Sequence, residues 1–175
     1  MNTRVLVLLS LFIGIGAVLH AVMPPIFFGM RPDMLLAMMF LGIIMFPKVS
    51  YVLVLSTATG IVSALTTTAP GGQIANLIEK PVTGMIVFVL VLAMRNFKQE
   101  RIKAAVLTAV GTIVSGSIFL GLILFVIGLM DAGFIAMFLT VVLPTALLNT
   151  VLMMVLHPVS LRIMRNSPSQ TLRAS

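Results

Sequence analysis

Apolar residues in this chain come in long unbroken runs rather than in the short alternating or amphipathic patterns of a soluble domain. The runs extend from Val5 to Val22, Met34 to Phe46, Tyr51 to Leu65, Val82 to Met94, Ala104 to Met130 and Ala132 to Leu156. A helix crosses the hydrocarbon core of a bilayer with about 20 residues at 1.5 Å each. The pattern therefore predicts an all-α, polytopic membrane protein in one integral domain over residues 1–175, with six spans at about 5–22, 34–46, 50–68, 81–95, 103–129 and 133–157. The second and fourth runs are short, so their helices are expected to recruit flanking residues, thin the bilayer or be shielded by neighbours. The first run begins MNTR but runs too long for a signal peptide and shows no small-x-small cleavage site, so it is expected to stay as a span.

Composition supports the same class. Sixty per cent of the residues are apolar and 9% charged, and the mean hydropathy is +1.22, too little polar surface for a soluble domain. There is no cysteine, which excludes disulfides and thiolate metal sites. A pI near 11.3 is read as the charge bias of a membrane protein rather than as nucleic-acid binding, because the basic residues fall in connections. With a cytoplasmic N-terminus and C-terminus, Arg4, Lys48, Arg95, Lys98, Arg101, Lys103, Arg162, Arg165 and Arg173 lie inside and only Arg31 and Lys80 outside. The positive-inside rule favours that orientation.

The polar stretch from Thr66 to Pro81 (TTTAPGGQIANLIEKP) breaks this pattern most sharply. Irregular backbone beside a bilayer needs water, protein or a cavity to satisfy it, so the stretch reads either as a solvated turn or as a binding loop. As a binding loop it offers Gly71 and Gly72 for close backbone approach, Gln73 and Asn76 as amide donors and acceptors, and the adjacent Glu79 and Lys80. In the proposed topology it faces the same side as the Met23–Asp33 connection, which carries Phe27, Phe28, Arg31 and Asp33, and as the turn at Asp131. Together these connections offer aromatic faces and both charge signs to a planar zwitterion. The plainer alternatives are interfacial anchoring for the phenylalanines and a weak surface ion pair for Arg31 and Asp33.

Within the spans, small residues recur at helical spacing. Ser10, Gly14, Ala17 and Ala21 form one stripe on the first helix, Ser56, Gly60, Ser63 and Thr67 another on the third, and the fifth carries Gly111 with Ser115. Such stripes let a second backbone approach, and packing inside the bundle is the commoner use. Asn149 in the sixth span is a costly neutral group that needs a partner, either a neighbouring helix or a ligand, and Pro144 is expected to disturb the helix. His20 reads as a satisfied interfacial histidine. No phosphate-binding loop, zinc-protease motif or nucleophile elbow occurs, and no carboxylate is placed firmly within a span, so neither a catalytic residue nor a cofactor or metal is expected.

The segments PPIFFGMRPDMLLAMMF, FPKVSYVLV, GIVSALTTTAPGGQIANLIEKPV and VVLPTALLNT resemble the bacterial tryptophan transporter family TrpP across nearly the whole chain. That family is in turn similar to the substrate-binding S components of energy-coupling factor transporters. The resemblance implies a protein of the bacterial cell membrane that takes L-tryptophan from outside. It also implies partners: a transmembrane coupling subunit docking on an A-x-x-x-A face of the first helix, matched by Ala17 and Ala21, and two ATPase subunits. Nucleic acid is not among the expected partners. A self-sufficient ion-coupled carrier of an aromatic amino acid is the alternative, and a non-transporting membrane scaffold a more distant one.

Overall fold

A computed structural model describes residues 2–24, 33–128 and 133–166, with side chains to residue 164. Phe27, Phe28, Arg31 and Asp131 lie outside the described residues. The chain forms six apolar helices and, among the described residues, no strand. These are α1 (Thr3–Val22), α2 (Met34–Met45), α3 (Val49–Thr66), α4 (Gly72–Ala93), α5 (Glu100–Ile127) and α6 (Phe134–Met164). All but α2 are long and apolar enough to cross a membrane.

The short α2 is the hub. Its residues from Met34 to Ile43 are all buried, and it touches every other helix. A helix enclosed by protein need not match the bilayer thickness, so shielding by neighbours is what permits 12 residues here. Leu36, Met39, Phe40 and Leu41 meet Leu9 and Phe12 of α1, Val52 and Leu55 of α3, and Val87 of α4 in one core. Asp33 caps α2, its Oδ1 accepting from the Leu36 amide at 3.2 Å. The start of α1 is tied to α3 by the Asn2 amide, which donates to the Tyr51 hydroxyl at 2.8 Å.

Helix α4 departs most from the sequence expectation. It begins at Gly72 and runs through Pro81, so most of the stretch expected to be irregular is helical, and only residues 67–71 connect it to α3. Gly71 makes the turn at φ 73°, in the left-handed region. Polarity alone pointed to a loop; the helix persists because Asn76, Glu79 and Lys80 face the bundle interior and find partners there. Pro81 removes one backbone donor, leaving the Leu77 carbonyl without its usual partner, a loss that a packed helix tolerates. In α6 the stretch Phe138–Val142 widens into π-helical turns just before Pro144, which cannot donate to the Thr140 carbonyl. The end of α5, Leu122–Ile127, is likewise π-helical.

The stripes of small residues divide into two kinds. On α3 a Cβ at Gly60 would stand 3.0 Å from the Asn76 carbonyl oxygen, and one at Gly84 of α4 would meet Ser56 Cβ at 2.6 Å, so α3 and α4 are packed backbone to backbone. Gly111 of α5 is pressed against Phe40 and Val87 in the same way. On α1, by contrast, Ser10, Gly14 and Ala21 are exposed and Ala17 is half-buried, and a Cβ at Gly14 would meet nothing within 4 Å. The other face of α1, through Val5, Leu9, Phe12, Gly16 and His20, makes the bundle contacts.

Candidate functional site

Six helices converge on a chamber at the end of the bundle where α1 finishes, α2 begins and α3 turns into α4. It holds about 90 Å³ open to water-sized molecules, well beyond the roughly 10–15 Å³ that one water needs, and is therefore more than a packing defect. One wall is polar: His20 from the end of α1, Asp33 at the head of α2, Ser63 and Thr67 from α3, and Asn76, Glu79 and Lys80 from the first turns of α4. The rest of the lining comes mainly from α5 and α6, as apolar Phe119, Leu120, Val141 and Val142, joined by Leu36 of α2, and as the hydroxyls of Thr112, Ser115 and Thr145.

The chemistry centres on three charges. Lys80, 2% exposed, places its Nζ 2.5 Å from Asp33 Oδ2 and bonds the Glu79 carboxylate through Oε1. Glu79 is fully buried, and its second oxygen, Oε2, accepts from Ser115 Oγ at 2.8 Å and Thr83 Oγ1 at 3.1 Å. His20 Nδ1 lies 4.0 Å from Asp33 Oδ1. Burial works against the charge on Asp33, but attraction to Lys80 and His20, with hydrogen bonds from Lys80 and the Leu36 amide, prevails and holds its carboxyl below the ordinary aspartate value. The cluster places one lysine ammonium between two carboxyl groups, each with more than one polar contact. A buried charge is retained at such a cost only when paired, and charges at membrane depth mark functional sites.

The expectation that no carboxylate sits within a span is thereby corrected, because Glu79 lies inside α4 with Lys80 beside it. Of the residues proposed from sequence, Asp33, Asn76, Glu79 and Lys80 meet at the chamber. Asn76 is buried, and its Nδ2 donates to the Gly72 carbonyl at 2.8 Å. Gln73 is exposed on the other face of α4, and Gly71 and Gly72 do not line the chamber: they shape the turn, where a Cβ at Gly72 would fall 2.5 Å from Thr67 Oγ1. Asn149 is fully buried and ties helices together, its Nδ2 donating to the Asp33 carbonyl at 3.2 Å and to Thr112 Oγ1 at 3.3 Å. It supports the backbone that carries Asp33 rather than lining the chamber. Sequence reasoning did not single out the Ser115 and Thr83 ligands of Glu79 or the apolar wall at Phe119 and Val142. Ser115 stands four residues from Gly111 in a spacing that was legible, but which helix face turned inward was not.

A family model described as tryptophan transporter TrpP matches residues 2–165, and so takes in all six helices. The chain belongs to the tryptophan transporter TrpP family. Among curated relatives it is 50% identical over 167 residues to a protein of Bacillus subtilis (strain 168), covering 95% of this chain and 96% of the relative. It is 40% identical to a Clostridium acetobutylicum protein, covering 86% and 88%, and 34% identical to one from Clostridium perfringens, covering 95% and 96%. Each relative bears the name "Probable tryptophan transport protein". No solved structure matches the chain. Family membership and the apolar helices together make it a multi-pass protein of the bacterial plasma membrane.

Proposed function

We propose that the chain is the substrate-binding membrane subunit for tryptophan uptake and that the chamber is its binding site. The observation that carries this reading is the Asp33–Lys80–Glu79 cluster, with Lys80 and Glu79 buried and Asp33 half-buried, in a chamber that is also lined by apolar side chains. A zwitterionic amino acid presents an ammonium for Asp33 or Glu79 and a carboxylate for Lys80, so it exchanges with the ion pairs already present instead of adding an unpaired charge. The indole then lies against Phe119, Leu120 and Val142, where its apolar area leaves water. Arg31, Phe27 and Phe28, expected from sequence to contact the same substrate, lie outside the described residues.

Coupling to an energy-coupling factor module is part of the same proposal. Its support is the stripe of exposed Ser10, Gly14 and Ala21 with half-buried Ala17, on a helix whose other face packs into the bundle. A coupling subunit docking there would leave the chamber free to face outward in the N-terminus-inside orientation. A second reading, ion-coupled transport by this chain alone, draws support from Glu79, an acid buried inside a span.

Calorimetry on purified protein tests the site. Asp33→Ala or Glu79→Ala should weaken L-tryptophan binding roughly tenfold to a hundredfold, as loss of a charge-assisted hydrogen bond predicts, while Glu100→Ala leaves it unchanged. Folded variants of both acids that bind like the wild type would remove the chamber from consideration. Proteoliposomes separate the two coupling schemes: uptake by the chain alone under a proton or sodium gradient supports the second, and uptake that needs ATP and partner subunits supports the first.

A further inference from the structure

The chamber lining contains a buried hydroxyl that no hydrogen bond satisfies. Ser63 of α3 is 3% exposed, and its Oγ, though at the chamber, has no hydrogen-bond partner. A buried hydroxyl left unbonded is costly, so one aimed into a cavity invites a ligand group. Other hydroxyls of the lining are already engaged: Ser115 with Glu79, Thr67 with the Ala69 amide, Thr112 with Asn149 and Thr145 with the Val141 carbonyl.

The position of Ser63 gives that free oxygen a specific task. Gly60, three residues before it on the same helix face, packs against the Asn76 carbonyl and the Lys80 side chain. Ser63 therefore stands about one helical turn, roughly 5 Å along α3, from Lys80 toward the α3–α4 connection. If the charged cluster holds the ammonium and carboxylate of tryptophan, one polar group of the substrate is left, the indole N–H, which donates and cannot accept.

We propose that Ser63 is the specificity-determining residue of the chamber, its Oγ accepting the hydrogen bond of the indole N–H while the head group is held at Asp33 and Lys80. The assignment rests on the chamber being the tryptophan site and adds the basis for choosing an indole over a ring without N–H. A hydrogen-bonding site rejects a ligand that leaves its polar group unpaired more strongly than an apolar pocket rejects one of altered shape.

The test compares L-tryptophan with L-3-(3-benzothienyl)alanine, in which ring sulfur replaces the N–H, by calorimetry on the detergent-solubilised full chain. Wild-type protein should prefer tryptophan by about fivefold to tenfold, the effect of one neutral hydrogen bond. Ser63→Ala should bind both ligands alike, with the sulfur analogue held as tightly as by the wild type, which also shows that the variant is folded. Ser63→Thr, which keeps the hydroxyl, should retain the preference for tryptophan. A preference that survives in Ser63→Ala, or an equal loss for both ligands, overturns the assignment while leaving the site reading intact. Tryptophan binding that is absent in the wild type, or unmoved by both Asp33→Asn and Glu79→Gln, overturns the site reading itself and the role of Ser63 with it.

Discussion

At the scale of single residues, the decisive arrangement is a lysine shared by two carboxylates. Lys80→Met would leave the Asp33 and Glu79 carboxyls without their shared cation, and breaking a buried pair by removing one partner costs about 3–5 kcal/mol. The double variant Lys80→Met/Glu79→Gln removes one of those carboxyls as well, so it should recover part of that loss. Thermal unfolding in detergent measures both, and equal destabilisation in single and double variants would show that the pair is not coupled. Asp33 sets an acid limit with a definite sign. Its folded carboxyl is held below the ordinary value, so its stabilising charge is fully present above the unfolded pKa of about 3.9 and is lost as pH falls through the lower folded value. The unfolding midpoint should thus carry no Asp33 contribution to its pH dependence between pH 7 and about 5. Below that, wild type should lose a stabilisation that Asp33→Asn never has, and parallel acid profiles for the two proteins would contradict the pairing.

At the scale of elements, the same small-residue spacing has opposite uses on α1 and α3. Between α3 and α4 the glycines and serines are already occupied: Gly84→Val would drive a side chain into Ser56, and overpacking of this kind costs about 1–3 kcal/mol or more. On α1 the stripe is largely exposed among the described residues, so Ala17→Leu with Ala21→Leu should leave the unfolding midpoint and tryptophan binding in detergent unchanged while abolishing ATP-dependent uptake. Uptake that persists in the double variant would place docking on another face. The contrast also accounts for α2, whose 12 residues could not span a bilayer unaided but suffice inside a collar of five helices.

At the scale of the whole molecule, the chamber lies at the end where α1 finishes, α2 begins and α3 turns into α4, while the α2–α3 and α4–α5 connections, with Lys48, Arg95 and Lys98, lie at the other end. The distribution of lysine and arginine predicts that this second end is cytoplasmic. A cysteine replacing Gln73, which is exposed at the chamber end, should react with an impermeant thiol reagent on intact cells, and one replacing Lys98 only after permeabilisation. The reverse pattern would turn the chamber to the cytoplasm and remove it as a site of uptake.

The sequence by itself determined the all-helical membrane class, the number of apolar helices and the family, because unbroken apolar runs have only one physical solution in lipid and the polar segments between them are unusual enough to be recognised. It also brought Asp33, Asn76, Glu79 and Lys80 forward as a group, since their polarity stands out against an apolar background. Only the tertiary structure decided what that polarity was for. Composition over Thr66 to Pro81 fits a solvated loop and a buried polar helix equally well, and the difference lies in partners supplied by distant segments: Asp33 from α2 and Ser115 from α5. The same holds for Asn149, whose bond to the Asp33 carbonyl joins residues 116 apart in the chain. It holds too for the two kinds of stripe, which share one spacing and differ only in whether another helix lies against them. Periodicity along a helix shows that a face exists; which faces meet is set by three-dimensional packing of the bundle.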